Sequence, residues 1–175
     1  AKIIGCSNTS YLLEKSRVVY QDEGERNFHA FYLLCKGASA AQLSALHLSK
    51  NPGDYKYLSQ SRCYDAEGID DKAWFQEMAT AFVELGMDPE TEADGGFRLL
   101  AGILLLGNIS FVADQGDDER SQVVEDSLVA DVADVLGIDP KHLNTCLIER
   151  QFQSGGRSSL VKVPMKAAAA KDNRD

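Results

Sequence analysis

Three histidines, four cysteines, an acidic run and a glycine pair are the residues of this chain whose types could do chemistry. His29 could act as a general base, but it stands in an aromatic stretch with no adjacent Ser or Cys nucleophile, so a packed or partly exposed histidine is the simpler reading. His47 and His142 read as equally isolated. Cys6, Cys35, Cys63 and Cys146 are scattered, with no Cys-x-x-Cys pair and no histidine at ligand spacing. That pattern argues against zinc and for reduced intracellular thiols. The run Asp114–Glu119 offers carboxylates to a cation, yet it lacks the alternating ligands and terminal glutamate of a helix–loop–helix calcium site and reads as a solvated loop. Gly155-Gly156-Arg157-Ser158 could cradle a phosphate, but the pattern Gly-x-x-x-x-Gly-Lys-Ser/Thr occurs nowhere in the chain. An independent Cys/His enzyme therefore finds no support in these residues.

The elements that would carry these residues follow from periodicity and punctuation. Ala1 to Thr9 holds a short apolar run compatible with a strand, and Ser16 to Tyr20 reads as a second extended piece. Glu25 to Lys36 reads as a helix with Phe28, Phe31, Tyr32 and Cys35 on one face and Gly37 as its stop. Residues 39–62 predict short helical turns broken by Asn51-Pro52-Gly53. The clearest helix begins at Asp70 or Asp71, either of which can cap free amides, and runs to about Leu85. Trp74, Phe75, Met78, Phe82, Val83 and Leu85 form its apolar face, and Gly86 stops it. Asp88-Pro89 opens the next helix and Gly107 closes it; the stretch from Phe97 to Leu106 is apolar nearly all round and predicts a central buried helix. Gly95-Gly96 weakens its first half, since a glycine costs about 1 kcal/mol relative to alanine in a helix, so a late start or a kink is expected there.

Ile109–Ala113 and Ser121–Val124 predict two short strands around an exposed acidic loop. Helices follow at about 127–136 and 140–148, separated by Gly137 and Asp139-Pro140. Gln151–Gln153 and Leu160–Val163 flank Ser154-Gly-Gly-Arg-Ser-Ser159, a hairpin signature, and Ala167 to Ala170 begins a last helix. The fold class is α+β and mostly helical, with short strands and a surface hairpin, read as one unit without internal linker or repeat.

Charge is divided unevenly. Residues 1–149 carry 12 Lys and Arg against 25 Asp and Glu, whereas residues 150–175 carry 6 against 2. The acidic body argues against nucleic acid and anionic membrane as partners, and the basic end suits an acidic surface. The longest apolar stretch, Leu99 to Leu106, is far short of the ~20 residues of a membrane span, and no secretory signal opens the sequence, so a cytoplasmic setting is expected.

Several blocks resemble the myosin motor family. Tyr11-Leu-Leu-Glu-Lys-Ser-Arg-Val-Val19 and Gly24-Glu-Arg-Asn-Phe-His29 are similar to the consecutive blocks that follow the family's first switch loop. Gly68-Ile-Asp-Asp71 resembles its next helix start, and Phe97-Arg-Leu-Leu-Ala-Gly-Ile-Leu-Leu-Leu-Gly-Asn-Ile-Ser-Phe111 its buried helix and following strand. Gly137-Ile-Asp-Pro140 with Leu143 and Leu147, and then Asn173-Arg-Asp175, continue in order over essentially the whole chain. Ser7-Asn8 and Gly95-Gly96 depart from the family pattern.

The resemblance implies that residues 1–175 are most of the upper fifty-kilodalton, actin-binding part of a P-loop NTPase-type motor head. In the family the phosphate-binding loop and first switch precede this region and the second switch follows it. ATP and Mg2+ would thus belong to the intact motor, and this segment alone is expected to be inactive, with apolar surface left exposed and prone to aggregation. The expected partners are F-actin and the rest of the head, in the cytoskeleton. Residues 150–166 resemble the actin-touching surface loop often called the cardiomyopathy loop, which assigns Arg150, Arg157, Ser158, Lys162 and Lys166 to actin contact. The acidic loop at 112–122 corresponds to a neighbouring actin-approaching loop, where Asp117-Asp118-Glu119 would be repelled unless it faces a basic neighbour. Ser159 falls at the family's regulatory position, sixteen residues before Asp175, and is expected to be phosphorylated by a heavy-chain kinase, with an unmodified turn serine as the rival reading. Tyr11 and Leu12 fall near the inner end of the cleft, where core packing is the alternative. A non-motor actin-binding or scaffold module is the alternative function.

Overall fold

The computed structural model describes residues 14–153 and 160–175. Where the sequence reads as one unit, the chain forms two compact units, Ala1–Leu100 and Ala101–Asp175. The expected strand at Ala1 to Thr9 lies outside the described residues.

In the first unit, α1 (Lys15–Val19) is a single helical turn, not the extended piece its Val-Val-Tyr sequence predicts. Side chains from elsewhere satisfy its free carbonyls: the Gln21 amide donates to Arg17 O at 2.5 Å, Asn27 to Val18 O at 3.0 Å and Gln60 to Val19 O at 2.7 Å. Helix α2 (His29–Gly37) begins four residues later than its periodicity suggests. The delay has a cause in Asn27, which is 2% exposed. Its amide donates to Val18 O and to Tyr57 O at 2.9 Å, while its Oδ1 accepts from Phe28 N at 2.7 Å. A residue so held cannot also take a helical backbone position, and helix formation waits for Phe28 as cap.

Helix α3 (Ala40–Ala45) opens with a capping box between Ser39 and Gln42; a 3-10 turn (Pro52–Asp54), capped by Asn51, and α4 (Lys56–Ser59) follow as short turns. Helix α5 (Asp71–Glu84) starts where Asp70 accepts from Lys72 N and Ala73 N, both at 3.0 Å. Its buried stripe is narrower than the sequence predicts. Phe75 is buried and Met78 and Phe82 are half-buried, but Trp74, Val83 and Leu85 are exposed. Phe75 faces α2 at Gly37, where a Cβ would overlap the phenyl stem, so one narrow seam carries the helix pair. Phe97 completes the cluster, 5.3 Å from Phe75 and 6.0 Å from Phe82 between ring centroids.

Helix α6 (Asp94–Asn108) is preceded by one π-helical turn (Pro89–Ala93), the irregular start expected beside Gly95-Gly96. It is not buried all round: Leu104 is inaccessible, whereas Leu99 is 58% exposed.

In the second unit, Ala101, Leu104, Leu105 and Ile109 share a core with Val129, Val132, Val135, Leu147, Met165 and Ala170. Strands β1 (Phe111–Asp114) and β2 (Asp117–Val123) form an antiparallel ribbon with Phe111 opposite Val123. The acidic residues are not loop residues: Asp117, Asp118 and Glu119 begin β2, and only Gln115-Gly116 turns, with Gly116 at φ +100°. Helices α7 (Asp126–Leu136) and α8 (Pro140–Ile148) are separated by Gly137 in left-handed conformation and by Asp139, which accepts from His142 N at 2.7 Å. Strands β3 (Glu149–Gln153) and β4 (Leu160–Pro164) pair antiparallel, and α9 (Ala167–Arg174) ends the chain.

Candidate functional site

The β3–β4 hairpin is a two-faced ribbon. Its register sets Arg150 opposite Val163, Gln151 opposite Lys162 and Phe152 opposite Val161. Because side chains alternate across a strand, Arg150, Phe152, Val161 and Val163 share one face, while Glu149, Gln151 and Lys162 share the other. Phe152 is 52% and Val163 41% exposed, so the first face offers an apolar strip ending in a guanidinium. On the second face the Lys162 ammonium lies 3.8 Å from the Glu149 carboxylate.

The hairpin is anchored at its base. Met165 N donates to Ile148 O at 2.8 Å, and Met165 is buried. The next residue, Lys166, caps α9 with an extended backbone and reaches Glu119 of β2 at 2.6 Å. That hydrogen bond raises the Lys166 ammonium above its ordinary range, with the Glu119 charge adding to it. The acidic ribbon thus does face a basic neighbour. A second acid, Asp117, pairs with Arg120 at 3.2 Å. Arg174, half-buried on α9, donates to Gly107 O at 3.0 Å and Ile109 O at 2.5 Å, tying the end of α6 to the helix behind the hairpin.

Of the residues assigned to actin contact, the fold brings Arg150, Lys162 and Lys166 onto one surface element and leaves all three exposed. Arg157, Ser158 and Ser159 lie outside the described residues, as do Tyr11, Leu12 and the Gly155-Gly156 pair. Of the two carboxylate partners, Glu119 belongs to the acidic stretch that the sequence sets near actin and in need of a basic neighbour, whereas Glu149 is not singled out by the sequence. Position 149 carries a signal all the same, since it shares a face with Lys162 by strand alternation.

The histidines divide. His29 is exposed, its Nδ1 3.2 Å from the Arg26 guanidinium and its ring edge-on to Trp74, which is a packing role. His142 is not isolated: its Nε2 lies 3.7 Å from Cys146 Sγ, one helical turn along α8, at an i, i+4 spacing visible in the sequence. The pair is exposed, and no third group among the described residues orients the imidazole. Cys35, by contrast, is buried in the first unit, and burial pushes its thiol up to about 12. Among the described residues no three metal-ligating side chains converge, and no helix is long and apolar enough to cross a membrane. A groove of about 330 Å³ in the second unit is lined by Asp126, Val129, Pro140, Lys141, Asn144 and Thr145; one lysine beside an aspartate gives it no phosphate-binding character.

Compared with known families, residues 1–175 match the myosin head (motor domain) from end to end. The chain belongs to the myosin head family. It is 40% identical over 175 residues to "Myosin-1" of Emericella nidulans and 40% identical to "Myosin-1" of Aspergillus terreus, each match covering 98% of this chain. It is 39% identical over 177 residues to "Myosin IE heavy chain" of Dictyostelium discoideum, again over 98% of the chain. The chain spans 14% of the length of the two fungal relatives and 18% of the Dictyostelium protein. It is a segment of a myosin motor head.

Proposed function

We propose that this myosin head segment supplies the upper wall of the actin-binding cleft in an ATP-driven motor, and that residues 150–166 are its actin-contacting loop. The observation that carries this reading is the β3–β4 hairpin: an apolar strip of exposed Phe152 and Val163 with half-buried Val161, ending in Arg150, with Lys162 on the reverse face and Lys166 at the base. Actin is acidic, so exposed cations steer its approach, and an exposed aromatic supplies the area that cations do not. ATP and Mg2+ would be held elsewhere in the intact P-loop NTPase-type head, because this chain contains no Gly-x-x-x-x-Gly-Lys-Ser/Thr. The rest of the head is the second partner, and Trp74, Val83, Leu85 and Leu99 in the first unit are exposed apolar residues suited to it. Tyr11 and Leu12 would line the inner cleft. A myosin motor acting on F-actin places the protein in the cytoplasm, on the cytoskeleton.

Ser159 adds regulation to this reading. A phosphate there brings about −1.5 to −2 charges to the loop that carries Arg157 and Ser158, and a heavy-chain kinase would be the partner that writes it. Co-sedimentation of the intact head with actin filaments tests the contact: Phe152→Ala and Arg150→Ala each weaken binding, the first by about tenfold on the scale of a buried interface aromatic. Unchanged binding in both would refute the hairpin's role. Equal actin-activated ATPase for Ser159→Ala and Ser159→Glu would remove the regulatory one.

A further inference from the structure

Lys166, one of the exposed cations assigned to actin contact, already has a carboxylate. Lys166 stands at the hairpin base, 58% exposed, with Glu119 at 2.6 Å and itself 72% exposed. The two come from different elements of the second unit, Glu119 from β2 and Lys166 from the second residue after β4, and β2 runs beside both β4 and α9. Nothing in local sequence requires the meeting. Asp117 and Asp118 precede Glu119 on the strand; Asp117 is engaged by Arg120 and accepts from Glu119 N at 3.0 Å, which fixes the backbone presenting the Glu119 carboxylate.

We propose that Glu119 is a resident counter-charge for Lys166: in the unbound head it occupies the ammonium that an acidic filament would use, and filament binding exchanges one carboxylate for another. This rests on the reading of residues 150–166 as the actin-contacting loop. An exposed ion pair is weak enough to open at every encounter, because water screens it and two long side chains must be ordered to form it. It still subtracts from binding twice over. The filament gains only the difference between two similar carboxylate contacts, and the released Glu119 is a negative charge facing a negative surface. Without the pair Lys166 would be a constitutive contact; with it, the ribbon sets how much that contact contributes.

The test is actin-filament affinity of the intact head, by co-sedimentation at low and at high salt, for Glu119→Gln, Lys166→Gln and the double variant. The expected results are about two- to fivefold tighter binding for Glu119→Gln and a similar weakening for Lys166→Gln, on the scale of an exposed ion pair. Both effects shrink as salt rises, and the Glu119→Gln gain is smaller once Lys166 is gone, because only the repulsion between Glu119 and the filament is then left to relieve. Unchanged or weaker binding by Glu119→Gln while Lys166→Gln weakens it would overturn the counter-charge, as would a Glu119→Gln gain of undiminished size in the Lys166→Gln background. If Lys166→Gln is silent but Arg150→Ala weakens binding, the counter-charge fails and the hairpin reading stands. Silence in all of these variants would remove both.

Discussion

Replacing Asp71 by asparagine should nearly unfold the first unit. The Asp71 side chain is 5% exposed, and its Oδ2 receives the Arg26 Nη2 at 2.5 Å and the Lys36 ammonium at 2.9 Å. Arg26 is equally buried, with its guanidinium 3.9 Å over the Tyr32 ring. Lys36 is a quarter exposed and has two further acceptors, Asp65 Oδ1 and Tyr64 O, both at 2.7 Å. Burial by itself would lower the Lys36 ammonium, but the bonds to Asp65 and Asp71 outweigh it and raise it. Asparagine keeps the shape and removes the charge, leaving a buried guanidinium without its counter-ion, a loss of about 3–5 kcal/mol. At a urea m value of about 1.5 kcal/mol/M, the midpoint falls by at least about 2 M. Trp74, the only tryptophan of the chain, sits on the same helix as Asp71 and reports the transition by fluorescence. The double change Arg26→Met with Asp71→Leu should recover most of the loss, because a pair of apolar residues costs no desolvation. A midpoint for Asp71→Asn within about 0.5 M of the parent would refute the argument, since the aspartate would then be a spectator of a guanidinium satisfied by other groups.

Two glycines make a sharper comparison than either alone. A Cβ at Gly37 meets the Cβ and Cγ of Phe75, which cannot retreat without moving α5, whereas a Cβ at Gly102 meets the methyl end of Leu136, which can rotate. Gly37→Ala should cost about 1–3 kcal/mol and Gly102→Ala clearly less; the reverse order in urea midpoints would contradict this packing. Alkaline pH should destabilise the first unit through Cys35. Its thiol is held at about 12 by burial against an ordinary 9.0, so between those values the unfolded chain releases a proton that the folded chain keeps. Stability therefore falls as pH rises, by about 2 kcal/mol at pH 10.5 from this group, and Cys35→Ala should flatten that slope in urea midpoints taken at pH 7.5 and 10.5. An unchanged slope would mean that the thiol titrates alike in both states.

What the sequence made legible here is local. Asp70 and Asp139 announce their helix starts because a cap bonds to amides two or three residues on, and Gly137 marks its helix stop because only glycine takes that φ value without strain. The errors are long-range. Ser16–Tyr20 reads as extended and folds as a helical turn because Asn27 and Gln60 reach its carbonyls, and no window around residue 18 contains that information. The α5 stripe reads as six residues wide because periodicity counts apolar side chains, not the neighbours available to cover them. The same division runs through the candidate site. The hairpin and its cations were legible as a turn signal and a local excess of positive charge, and two of the pairings that govern those cations were not. Lys162 meets Glu149 across a strand pair, and Lys166 meets Glu119 across two ribbons. The blocks that make the family recognisable are largely not the partner surface at all. Arg26 and Asn27 are buried polar pins that donate to partners inside the first unit, and Arg174 serves likewise in the second. A buried donor tolerates few replacements, since losing its partner costs more than the bond contributes, while an exposed cation can be exchanged at small cost. Within this chain the buried donors are therefore costly to replace, and the exposed cations of the candidate site are not.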